Sequence, residues 1–300
     1  PLGRQILIGH GAFLELLVMA LAQQGVTSQV QLWPQGELPT ALKDWDERPV
    51  ARITLQPGGQ PDPLFAQVLL RRTPKTDFDT TRPVAPELLA RLLASAPASE
   101  QTALRVGGTV AAEQLLALRT LCWESAQVEL LTPRTMMESI HLTRVGPSEI
   151  LQHRDGISIN SPFVRAVAAL GMFDRTQPPA EGSAAYKSAM GRFEGHSRTA
   201  MGFVWITGGN TRADQVEAGR AYVRLQLQAT ALGVGMHPMS QALQEFAEMA
   251  PHYERVHQQV LGQPAPRTPH DATVQMFCRI GYAPDPAPAT PRRALAKFVR

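Results

Sequence analysis

An α+β fold is what the sequence predicts, on three observations. Apolar residues recur at helical spacing through several long stretches, which marks amphipathic helices. Short alternating or wholly apolar runs between them mark strands, yet no regular strand–helix–strand alternation links them. Hydrophobic residues make up 44% of the 300 positions and charged ones 18%, which is enough apolar surface for a substantial globular core.

In chain order, residues 4–24 read as an amphipathic helix stopped at Gly25, where glycine takes a left-handed cap without strain. Residues 28–33 alternate as a strand, and 50–55 suit a second. Pro- and Gly-rich text over 56–63 leads into a helix running to Arg72. A further helix over 86–94 follows the break at Pro83. Residues 104–106 suit a strand and 111–126 a helix. The stretch 147–198 is looser, with Pro178-Pro179 and several glycines among short helical pieces. It reads as a lid over a site or as a long surface excursion. Residues 200–207 form an apolar strand that includes Trp205. Thr211 and Asp214 have capping-box spacing and open a helix that runs to Gly233. Two shorter helices and a strand over 274–281 close the order.

One internal echo stands out. Gly11, Leu17, Gly25 and Val26 recur 208 positions later as Gly219, Leu225, Gly233 and Val234. Both segments are helices that stop at a glycine and continue into extended text, which suggests a duplicated fold.

The net charge of +3 and a pI near 9.1 suit an anionic ligand. No Lys/Arg run is interleaved with aromatics, so no nucleic acid is expected as a partner. The apolar run around 14–22 is broken by Glu15 and Gln23, so no membrane partner is expected either. Cys122 and Cys278 form no CxxC; buried free thiols are expected, with a disulfide between them the alternative. Lacking a disulfide pattern, the chain leans towards the cytoplasm. Pro1 is no translation start, however, and an export signal removed upstream would make the protein periplasmic.

The segment Leu70-Arg71-Arg72-Thr73-Pro74-Lys75-Thr76-Asp77-Phe78 resembles the Arg-Arg-Ser-x-Arg opening of FMN-dependent nitroreductases. Its phenylalanine comes one residue late, as in the duplicated, latency-associated nitroreductase-like branch. The ending Arg279-Ile-Gly-Tyr-Ala283, with Pro291-Arg292-Arg293 after it, is similar to the strand and basic tail that close that fold. Residues 219–241 resemble the family's central helix and the turn after it. Together these cover most of the chain from Leu69 to Arg300.

The resemblance implies a nitroreductase-like fold, duplicated as a pseudo-dimer. Residues 1–68 would be the C-terminal part of a truncated first repeat and 69–300 the second repeat, with 147–198 as its lid. It implies FMN as cofactor, NAD(P)H and a small-molecule substrate as partners, and either a monomeric pseudo-dimer or a homodimer. Arg71, Arg72, Thr73, Arg292 and Arg293 would hold the FMN phosphate and ribityl chain by charge-assisted hydrogen bonds. Lys75 would stand at the flavin N1/O2 edge and favour the anionic reduced ring. Pro238, Met239 and Ser240 would form the turn passing N5, with His237 near the ring edge. No catalytic side chain is required, since the flavin itself takes and gives the hydride. A surface helix end remains an alternative reading of Arg71, Arg72 and Lys75, and an unstructured basic tail one of Arg292 and Arg293.

The family's Ala-Pro-Ser-x-x-Asn-x-Gln-Pro-Trp element is not intact. Residues 96–102 keep Ala96-Pro97 but lack the Asn and Gln-Pro-Trp, and in the first repeat this element would lie upstream of Pro1. At most one flavin site is therefore expected. The activity implied is hydride transfer from NADH or NADPH through FMN to a nitroaromatic or quinone. The other reading is a flavin-sequestering protein whose lid leaves little turnover. Gly9-His10-Gly11 and Gly233-Val234-Gly235 lack the third glycine of a dinucleotide fingerprint. His252 and His257 are five apart, which turns them to different helix faces, so no metal site is expected.

Overall fold

The computed structural model describes residues 3–95, 103–171 and 173–299. The elements in chain order are α1 (Arg4–Gln23), β1 (Val26–Leu32), β2 (Ala51–Pro57), α2 (Pro86–Leu93), β3 (Arg105–Thr109) and α3 (Ala112–Leu131). Then come α4 (Pro133–His141), β4 (Thr143–Val145), α5 (Gly146–His153), β5 (Ile157–Ile159), α6 (Pro162–Ala169) and α7 (Ala184–Arg198). The chain ends with β6 (Gly202–Gly208), α8 (Arg212–Ala231), β7 (Gly235–Pro238), α9 (Ala250–Leu261) and β8 (Thr273–Gly281). Helices and strands are mixed without a regular crossover pattern, as an α+β class requires.

The centre is an antiparallel sheet ordered β3-β6-β8-β7. Its side chains alternate between two cores. Val204, Ile206, Met276, Cys278 and Ile280 face α8 and α2, where they meet Leu89, Leu92, Ala221 and Leu225. Phe203 and Phe277 face α3 and α9, with their rings stacked 5.0 Å apart against Leu118, Leu121 and Val256. All nine residues of β8 are buried, which explains its continuous apolar text broken only by Gln275 and Arg279.

Helix α1 lies along α8 at unusually close range. A Cβ on Gly11 would fall 1.8 Å from the Val216 carbonyl oxygen, and one on Gly219 would fall 1.9 Å from that of Ile8. The two contacts are reciprocal, since Ile8 and Val216 are themselves 208 positions apart. At this crossing Glu15, 5% exposed, accepts from Arg220 and Arg224 at 2.9 Å each. Against the expectation from its text, α1 is long and apolar enough to cross a membrane, with a mean hydropathy of 1.7 over its best window. Here its buried face, Leu7 and Leu14 included, packs with Val216 and Leu38.

Other boundaries shifted as well. The helix expected up to Arg72 is only a 3-10 turn, Pro63–Gln67, after which the chain runs irregularly past α8. The Arg71 N–H still closes one i→i−4 turn on Gln67 O, and Pro74 disfavours helix at the residue before it. Helix α3 continues five residues beyond the expected end. The excursion over 147–198 is more ordered than its composition suggests: β4 and β5 pair in parallel around α5, and α7 packs on α3. The Thr211–Asp214 capping box forms as expected, and both cysteines are buried free thiols. Residues 96–102, where the altered Ala-Pro element falls, lie outside the described residues.

Candidate functional site

Two adjoining clusters occupy the region where the segment 71–78 runs past α8, β7 and α7. The first is a hydrogen-bonded cluster built on α8. Gln226, 1% exposed, accepts from Arg71 Nη1 at 2.8 Å and donates to Thr73 Oγ1 at 3.0 Å. One buried amide thus orients two of the expected phosphate ligands. The Arg71 Nε is buried with no acceptor, an open donor costly to leave unmade. Burial lowers the Arg71 pKa, and Arg292 and Arg72 lower it further, so Arg292 from the tail stands within electrostatic reach.

The other expected ligands diverge. Arg72 turns back to donate to Leu69 O and Arg71 O at 2.8 Å. Arg293 is paired with Asp155 of the excursion, which also holds Arg144. A groove of about 340 Å³ between that excursion and the tail is lined by Arg154, Asp155, Arg292 and Arg293. Met239 is buried and its N–H is bound to Phe277 O at 2.8 Å, while Pro238 and Ser240 on either side are half-buried.

The second cluster is centred on Arg279, 0% exposed on β8. Its guanidinium donates to His237 Nδ1 at 3.0 Å, His196 O at 2.9 Å and Thr76 O at 2.7 Å, and it lies over the Phe78 ring. One side chain thereby ties β7, α7 and the 71–78 segment together. Arginine stays protonated: burial pulls Arg279 only to about 10. His237 Nδ1 must therefore accept, which places the ring proton on Nε2. His196 Nε2 meets Lys75 O at 2.9 Å, and since a carbonyl only accepts, that ring too carries its proton on Nε2. The rings meet edge-on at 5.1 Å. Burial, then Arg279, takes His196 down to about 4. Burial first, then Arg279, His196, Lys75 and Arg192, holds His237 well below the usual imidazole range. Both histidines are neutral at physiological pH.

Lys75 and Arg192 complete this cluster. Both are exposed, yet burial lowers the pKa of each, and Arg192 lowers Lys75 further. Both side chains are thus reached by water yet crowded by protein. Neither has a carboxylate partner among the described residues, and no group of metal-ligating residues occurs there. Gln226, Arg192, His196 and Arg279 carry this geometry without having been assigned a role from sequence. The available hints were a glutamine inside a buried helical face and an arginine inside an apolar strand.

No family model and no curated protein matches the chain. Among solved structures it is similar to the nitroreductase-like family protein from Bacillus cereus, at 11% identity over 80% of this chain and 95% of that one, TM-score 0.42. It is also similar to an FMN-bound nitroreductase from Desulfitobacterium hafniense DCB-2, at 13% identity over 80% and 98%, TM-score 0.43. An FMN and NADPH-dependent nitroreductase from Sphigopyxis sp. strain HMH aligns at 16% identity over 79% and 97%, TM-score 0.46. The chain's structural neighbours are thus nitroreductase-like proteins. At these identities and TM-scores the likeness carries no argument about the chemistry, which rests on the chain's own residues.

Proposed function

We propose that the chain binds FMN and works as a nitroreductase-like oxidoreductase, passing hydride from NADH or NADPH to a small electrophile such as a nitroaromatic or quinone. The observation that carries this is the buried, unpaired Arg71 Nε beside a Thr73 hydroxyl held by the same glutamine. A dianionic phosphate would supply the missing acceptor and balance Arg71 and Arg292. Lys75 stands a few residues on, where a cation stabilises negative charge appearing on a bound ring. When bound, FMN supplies the hydride relay; the chain's residues hold and polarise it. Lys75 and Arg192 are open to water, which does not favour the storage-only reading.

The reciprocal glycine contacts of α1 and α8 support residues 1–68 and 69–300 as parts of two repeats arranged as a pseudo-dimer. The test of the cofactor is a flavin titration followed by visible absorption. We expect saturation near one FMN per chain, and Arg71→Ala or Gln226→Leu should weaken it about 10-fold or more, the loss of one charge-assisted contact. If FMN leaves the spectrum of the folded protein unchanged, the proposal fails.

A further inference from the structure

The second cluster offers hydrogen-bond donors almost without counter-charge. His237 has four basic neighbours acting on it, Arg279, His196, Lys75 and Arg192, and no acid. Asp77, packed against Gly195, is the one carboxylate acting on His196 and Arg279. Arg192 lies one helical turn before His196 on α7, hence on the same face. It is exposed and makes no ion pair among the described residues, whereas Arg220 and Arg224 of α8 are held by Glu15 or Asp62. The Nε2–H of His237 is fixed as a donor by Arg279, and no acceptor meets it among the described residues. With its Nδ1 held by Arg279, this imidazole presents an N–H donor for an oxygen acceptor.

We propose that Arg192 and the Nε2–H of His237 form a carboxylate subsite beside Lys75, so that the small molecule taken up here is an organic acid. The substrate class depends on the flavin reading above, but the subsite itself does not. The carboxylate would accept from the Arg192 fork and lie within reach of the imidazole donor. An electrophile bearing an acid group would thereby be oriented with its reducible end away from α7.

Benzoate and its neutral isostere benzamide probe this directly on the full chain. Binding is followed by calorimetry and by the nitrogen-15 signals of the histidine rings, with and without saturating FMN. Benzoate should bind about 10-fold or more tightly than benzamide, a difference of one charged contact. His237 should show the Nε2-protonated tautomer throughout and shift only with benzoate. Arg192→Gln should bring benzoate to within about two-fold of benzamide, and Arg192→Lys should keep part of the preference. Equal binding of the two probes by the wild type, or a preference that survives Arg192→Gln, overturns the proposal. If the benzoate preference holds while FMN does not bind, the subsite stands and the oxidoreductase reading falls. If FMN binds and the preference is missing, the reverse is true.

Discussion

The strand pairs β1–β2 and β7–β8 are entered in the same way and end in opposite environments. Each follows a long helix stopped by a left-handed glycine, Gly25 at φ +72° and Gly233 at φ +68°. Four residues past that glycine, Gln29 faces Thr54 in the first pair and His237 faces Arg279 in the second. Gln29 and Thr54 are exposed, while Arg279 and His237 are buried under Phe78 and α7. Equivalent positions on one backbone plan thus serve as a solvated surface in one place and as a charged keystone in the other. What differs is the cover: β8 is an inner strand of a four-stranded sheet, and β2 is an edge of a two-stranded one. Burial turns a tolerant position into one that every neighbour depends on.

The comparison breaks first at Arg279. Arg279→Met would leave His237 Nδ1, His196 O and Thr76 O without their donor. At about 1–3 kcal/mol for each buried group left unpaired, a loss of about 3–5 kcal/mol is expected. Thr54→Ala at the matching place should stay within about 0.5 kcal/mol. Urea midpoints at constant slope measure both. A loss under about 1 kcal/mol for Arg279→Met would mean that the keystone holds little.

Acid should strain the same pair next. In the unfolded chain His196 takes its proton near 6.5, and in the folded one only near 4. Between those values the unfolded state binds more protons, so stability falls as pH falls from 6.5 and levels off below 4. The full span amounts to about 3 kcal/mol at 1.36 per unit. His237 acts in the same direction. Carboxylates also titrate below 5, so the informative quantity is the difference between wild type and His196→Gln in urea midpoints at pH 7 and pH 4.5. A variant with the same pH slope as the wild type would remove His196 from the account.

Where the text was legible, local rules governed. The capping box at Thr211, the glycine stop at Gly233 and the strands β6 and β8 depend on neighbours within a turn or two, and each formed as read. Arg71 and Thr73 were singled out together from the sequence, but their joint dependence on Gln226, which is 153 residues from Thr73, was not legible. Arg279 sat in plain view within a closing motif without an assigned role, because its acceptors on His237, His196 and Thr76 come from three distant segments. The helix expected up to Arg72 failed for a related reason: tertiary pull on Arg71 and Thr73 overrode local propensity.

The helices that carry the two strand pairs test the likeness rather than the difference. Gly219→Ala would push a methyl group to 1.9 Å from Ile8 O, against backbone that cannot turn aside. A loss of about 1–3 kcal/mol is expected, as for overpacking elsewhere. Gly11→Ala should match it, since its contact with Val216 O is the mirror of the first. Gly9→Ala on the same helix meets nothing within 4 Å and should instead gain about 0.5–1 kcal/mol from helix propensity. If Gly11→Ala and Gly9→Ala behaved alike, the close crossing of α1 and α8 would be wrong.

The smallest effect is the sharpest control. Neither Gly25 nor Gly233 has an atom within 4 Å of its missing Cβ, so packing plays no part in what a substitution does there. Only the left-handed backbone matters, and alanine in that region costs about 1–2 kcal/mol. Gly25→Ala and Gly233→Ala should therefore lose nearly equal amounts, although the strands they launch differ so much in burial. Thermal unfolding of the two variants side by side resolves a gap of about 1 kcal/mol as a shift of a few degrees. Equality would place the difference between the two pairs wholly in what covers them. A larger loss at Gly233 would mean that the cap itself is coupled to the Arg279 cluster four residues on, and that the second strand pair is aimed by its helix as well as by its cover.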